Sequence, residues 1–212
     1  MLYISPKPDC PATVPFESPQ VYTGIGAREA PADVCSIAEE LGYHLGLAGW
    51  KLRSGAAEGM DKAFEYGALR AGAPMELSLP WKGYNHSESP CFAITQSALD
   101  LAASLHPAWG QLSSGIRKML ASSCYQTLGR DLTTPSRFSI CWTEDGCESE
   151  KKRTKRTGGT ATGIVLADRN GIPLYNLRNN ASRIALNRFL ESQHIAYHVP
   201  VDAEAPEQTS LF

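Results

Sequence analysis

Three stretches of this 212-residue chain place glycines between an apolar run and a helical pattern. They are Thr23-Gly24-Ile25-Gly26-Ala27-Arg28, Arg53-Ser54-Gly55-Ala56-Ala57-Glu58-Gly59-Met60-Asp61 and Thr157-Gly158-Gly159-Thr160-Ala161-Thr162. A strand that stops at glycines just before a helix leaves main-chain N–H groups able to meet an anion. Gly24, Gly26, Ser54, Gly55, Ala56, Gly59, Gly158, Gly159 and Thr160 are therefore candidate phosphate-binding positions. Arg28 adds a guanidinium that can grip a phosphate or carboxylate with two parallel hydrogen bonds. Asp61 opens a helix, where a carboxylate either serves the site or complements the helix dipole. Any single glycine turn is explained by backbone freedom alone. Three turns on one sheet edge point to a binding site.

The elements that must hold these turns follow from hydrophobic period. Strands are expected at Val21–Gly24, Trp50–Arg53, Met75–Leu79, Phe138–Trp142 and Ile172–Leu177. Helical spacing is expected from Pro31 to Leu45, Met60 to Arg70, Ala93 to Leu105, Gln111 to Leu128, Gly158 to about Asn170-Gly171 and Ala181 to Ser192. Strands alternating with helices predict an α/β fold with a single doubly wound, mostly parallel, Rossmann-like sheet of about five or more strands with flanking helices. The loop leaving the third strand contributes Trp81 and Asn85 as candidates, with Tyr84 and His86 beside them, and the turn after the fourth contributes Thr143, with Glu144 beyond it and Trp142 before it. Residues 148–157 (ESEKKRTKRT) lack apolar anchors and read as a mobile basic loop. Residues 1–19, with five prolines, read as an extended arm, residues 20–198 as the domain and residues 199–212 as a flexible tail.

A net charge of −2 supplies no general field for nucleic acid, so any contact with single-stranded DNA must be local, at Lys151 to Arg156. No apolar run reaches the length a bilayer span needs, and the first residues lack signal-peptide order, which predicts a cytoplasmic protein with no membrane partner. The six cysteines form no C-x-x-C pair and stand at no zinc-ligand spacing to histidine, so neither a metal nor a cofactor is expected.

The motif order, with His106-Pro107 before a helix carrying Arg117-Lys118-Met119, resembles the SLOG superfamily, which joins DNA-processing protein A (DprA/Smf) with the Lonely Guy hydrolases. It is similar in particular to short DprA-like proteins often encoded by bacteriophages, over about residues 20 to 180. The resemblance implies a Rossmann-like sheet, a nucleotide or nucleotide-derived ligand, and self-association. Arg117-Lys118 fits the arginine of the hydrolases, which makes Arg117 both a ligand-binding and a catalytic candidate. Gly158, Gly159 and Thr162 fit their glycine-rich turn, but Ala161 replaces a glycine and Ile164 stands where a glutamate is expected. Without that carboxylate, N-glycosidic cleavage lacks its obvious agent unless Glu58, Asp61 or Glu144 substitutes.

The last five residues, Gln208-Thr209-Ser210-Leu211-Phe212, resemble the peptide by which bacterial replication proteins dock on the sliding clamp. There Gln208 would fix register while Leu211 and Phe212 fill a pocket; an end folded back on its own domain is the plainer reading. The leading expectation is a protein that binds a phosphorylated nucleotide or nucleotide-derived signal, in a phage setting by sequestering a host defence signal, without evident catalytic machinery. The alternatives are a single-stranded-DNA accessory recruited to the clamp and a nucleotide phosphoribohydrolase.

Overall fold

A computed structural model describes residues 20–202. The arm at 1–19 and the tail residues 203–212, with Gln208, Leu211 and Phe212, lie outside the described residues. Five parallel strands, β1 (Val21–Gly24), β2 (Lys51–Ser54), β3 (Met75–Leu77), β4 (Phe138–Cys141) and β5 (Leu174–Asn176), form one sheet in the order β3-β2-β1-β4-β5. Six helices flank it: α1 (Ala32–Leu47), α2 (Met60–Arg70), α3 (Gln96–Leu105), α4 (Ser114–Leu128), α5 (Ala161–Arg169) and α6 (Asn180–Ser192). This is the Rossmann-like α/β architecture that alternating strands and helices imply.

Alternation along the strands sorts side chains into two cores. Tyr22, Leu52, Phe138 and Ile140 face α1, α2 and α6, packing on Leu41, Leu45, Phe64, Leu186 and Leu190. On the other face α3, α4 and α5 build a second cluster around Ala102, Cys124, Tyr125, Val165 and Leu166. Thr23, one residue past Tyr22, points to that second face and donates its hydroxyl to the Gln126 carbonyl at 2.6 Å, tying α4 to the central strand.

The chain runs outward from β1 to β3, then crosses over the sheet through α3 and α4 and re-enters at β4 beside β1. The β1–β4 boundary is thus the point where the winding direction reverses, and a crevice opens beyond the carboxyl ends of these two strands. All five strands being parallel, every candidate turn that leaves a strand end emerges on this edge.

Two expectations about segments change. The 148–157 loop is ordered by polar contacts and not by apolar ones: it forms short 3-10 turns at Glu150–Lys152 and Lys155–Thr160. Glu150 accepts two hydrogen bonds from the Arg169 guanidinium, Arg153 donates to the Leu105 carbonyl, and Thr154 and Thr157 both donate to Asp145. Those hydrogen bonds, with Thr154 and Thr157 capping each other, hold Asp145 below its ordinary carboxylate range, although partial burial alone pushes it the other way. The domain also continues past 198. Val199 is fully buried and exchanges two hydrogen bonds with the Asn187 amide, and Arg183 donates to the Pro200 carbonyl and pairs with Asp202 at 3.3 Å.

Candidate functional site

A cavity of about 830 Å³ occupies the switch point. Its walls come from the β1 turn (Ile25 to Glu29), the β2 turn (Gly55, Ala57, Asp61), the end of β4 (Trp142, Glu144), the turn before α5 (Arg156 to Thr160, with Gly163 behind it), Pro80 and Tyr84, and one face of α4. Gly26, Arg28, Gly55, Asp61, Gly158, Gly159 and Thr160 thus meet around one hollow, as the sequence pattern requires.

The remaining candidates lie off the cavity wall, each for a visible reason. Gly24 is buried under Phe64 and Leu52. The Ser54 hydroxyl is spent on the Gly24 carbonyl at 2.6 Å, and Ala56 packs with Leu79 and Tyr84. Gly59, at a φ of +77°, is pressed against the carbonyls of Ala27 and Arg28. Asn85 donates to the Ala56 carbonyl at 3.0 Å, and Trp81, 41 % exposed, meets the Tyr84 ring edge-on. Thr143 is buried and bonded to Cys147 and Asn176. Arg117 turns away, donating to the Gly110 carbonyl at 3.0 Å over the Trp109 ring. His86 lines a separate shallow groove with Lys82 and Phe92.

The floor of the cavity is organised by Asp61. Its carboxylate accepts from the main-chain N–H groups of Gly26 at 3.1 Å, Gly55 at 3.2 Å and Ala57 at 3.4 Å. The Ala27 N–H is likewise taken, by the Trp142 carbonyl at 3.1 Å. The amides of Gly26, Ala27, Gly55 and Ala57 in the first two turns are therefore engaged by the protein's own carboxylate and carbonyl groups. Asp61 is 4 % exposed. Burial lifts its pKa to about 7, outweighing the three amide hydrogen bonds that favour the charged form, with Glu65 adding to the rise.

The rim has another character. Gly158 and Gly159 have no atom within 4 Å of where a side chain would begin, so the turn presents bare backbone to open space. Arg28 reaches across the mouth toward the Tyr84 hydroxyl at 3.4 Å and the Met119 sulfur at 3.8 Å, and no carboxylate pairs with it among the described residues. Arg156 stands opposite, paired with Glu144 at 3.8 Å where both side chains are mostly exposed. Such a pair is worth little and yields to a better anion. Glu29 and Glu144 share the mouth, so its field is mixed.

Sequence reasoning missed the α4 wall. Ile116, Met119, Leu120 and Ser123 recur at helical spacing and face the cavity with Ser122 and Gln126. Gln126 is 6 % exposed, and among the described residues no hydrogen bond engages its side-chain amide. Ile164 is fully buried against Ile25, Cys141 and Cys147. The fold and site define a Rossmann-like α/β protein with a preformed crevice at its topological switch point. No family model, no curated protein and no solved structure matches the chain. No helix among the described residues is long and apolar enough to cross a membrane.

Proposed function

We propose that the switch-point cavity binds a nucleotide-sized anionic ligand, and that the chain acts by holding it. The observation that carries this reading is the meeting of the β1 and β2 exit turns, the end of β4 and the glycine turn before α5 around one cavity of about 830 Å³, with Arg28 at its mouth paired with no carboxylate among the described residues. The volume suits a nucleoside phosphate. The wall is amphipathic, with Tyr84, Met119, Leu120 and Trp142 lining it together with Arg28, Arg156 and Gly159. The resemblance to SLOG proteins supports the ligand class, and the buried Ile164 fits holding over cleaving. In a phage setting, holding without turnover is what sequestering a host signal requires.

Mass spectrometry of small molecules released by denaturing the full chain, followed by calorimetric titration of each nucleotide found, is the test. Stoichiometric release of a phosphorylated nucleotide that rebinds supports the reading. A protein that releases none, and that takes up no nucleoside mono-, di- or cyclic phosphate at high micromolar concentration, refutes it.

A second reading has one observation in its favour. Asp61, a buried carboxyl group near neutrality in the cavity floor, has the acidity of a general acid at physiological pH. Under this reading the protein cleaves the N-glycosidic bond of a nucleoside monophosphate and Arg117, outside the cavity, takes no part. Release of free base by the native chain, lost in Asp61→Asn, would establish it; retention of intact nucleotide through many hours excludes it.

A further inference from the structure

The floor and rim of the cavity sort the two ends of any nucleotide-like ligand. An anion in the floor would face the Asp61 carboxyl group with the amides of Gly26, Gly55 and Ala57 already committed to it. An anion there would find the nearby main-chain donors already taken, and would be repelled whenever Asp61 is ionised. The anionic end therefore belongs at the rim, and an uncharged group goes down.

Gln126 is what that group meets. It lines the cavity while 6 % exposed, and its side-chain amide has no hydrogen-bond partner among the described residues. Its amide atoms stay reachable from the cavity, where water or a ligand can supply their hydrogen-bond partners. Its backbone is fixed from behind by the Thr23 hydroxyl on the Gln126 carbonyl at 2.6 Å. Its Nε2 occupies the space where a side chain on Gly55 would begin, so the strand-exit glycine and the amide are fitted to each other.

We propose that Gln126 is the specificity-determining residue of this cavity, pairing its carboxamide with a ligand group that offers an N–H donor beside a C=O acceptor. The group is an amide edge, found in the lactam of a nucleobase or in a carboxamide, and the ligand enters amide-first with its phosphate toward Arg28 and Gly159. A carboxamide is self-complementary to such an edge, donating through Nε2 and accepting through Oε1. A carboxylate in the same place leaves Oε1 facing an acceptor and adds charge next to Asp61. This inference rests on the cavity being the ligand site.

The experiment titrates five probes into the full chain by calorimetry: ribose phosphate, inosine monophosphate, uridine monophosphate, nicotinamide mononucleotide and nicotinate mononucleotide. The first reports the phosphate end alone. The next two carry lactams, and the last pair exchange an amide for a carboxylate in one shape. At least one amide-edged probe is expected to bind about tenfold or more tighter than ribose phosphate, and nicotinate mononucleotide no tighter than ribose phosphate. Gln126→Leu is expected to erase that preference while leaving ribose phosphate binding unchanged. Gln126→Met, closer in shape, serves if the leucine variant melts early. Amide-edged probes no better than ribose phosphate, or a preference that survives both variants, overturns the role of Gln126 and leaves the site standing. Failure of all five probes to bind sinks the orientation together with the site reading.

Discussion

The β1 and β2 turns and the turn before α5 are written in similar residues and do different work. Gly26 carries no side chain because one would lie 2.6 Å from Met60 Cγ and 3.0 Å from the Trp142 carbonyl, and Gly59 because it touches the carbonyls of Ala27 and Arg28. Asp61 then gathers the nearby amides into a closed knot. Around Gly158 and Gly159 nothing stands within 4 Å. Glycine before a helix thus records close packing in the β1 and β2 turns and access in the turn before α5. Only neighbours supplied by the fold distinguish the two uses.

Gly59→Ala breaks the comparison most severely. A side chain there needs the left-handed φ of +77° and collides with main-chain oxygens that cannot step aside. A loss of about 3 kcal/mol or more is expected in denaturant unfolding, against about 1 kcal/mol or less for Gly159→Ala. Equal losses at the two positions would erase the distinction.

Asp61→Ala comes next, because it leaves three main-chain donors without their acceptor. A loss of about 2–4 kcal/mol is expected, and Asp61→Asn, which keeps one acceptor oxygen, loses less. The pH dependence sharpens this. The folded-state pKa of about 7 lies above the ordinary 3.8, so between these values the native chain holds a proton that the unfolded chain has released. The associated stability is full below 3.8 and is lost as pH rises through about 7. Urea melts from pH 4 to pH 8 should show the native protein falling relative to Asp61→Asn; parallel curves would mean that Asp61 is not strained by burial.

Arg28→Ala is the smallest perturbation of the fold, since the side chain is exposed and makes only long contacts to Tyr84 and Met119. The melting temperature should stay within about 1 °C, while affinity for a nucleoside monophosphate falls about tenfold and becomes less sensitive to salt. An affinity untouched by this change would remove Arg28 from the rim.

The fold was legible because its determinants are local: apolar runs ending in glycine, and helical spacing between them. The gathering of the β1 and β2 turns followed from parallel strands, whereas the turn before α5 is brought to them by the long connection after β4. What stayed hidden depended on rotation and depth. Arg117 and Met119 are two residues apart on α4, hence on different sides of the helix, and the cavity takes Met119 while Arg117 faces Gly110. Gln126 has no signature of its own in a sequence; its importance comes from being buried at a wall without a partner. The amides of Gly26 and Gly55 looked available because Asp61 read either as a site residue or as a complement to the helix dipole, and only the approach of α2 to β1 turns it into their acceptor.

On the proposed reading the open turn, and not the two packed ones, receives the ligand's charge at this cavity. Titrating inosine monophosphate into native protein and Gly159→Ala, with melting curves of both, tests it most directly. The expected result is binding by the native chain, closely matched melting curves, and an affinity at least about tenfold weaker in the variant, whose added methyl stands in the open space at the rim. Equal affinity in the two proteins would contradict it.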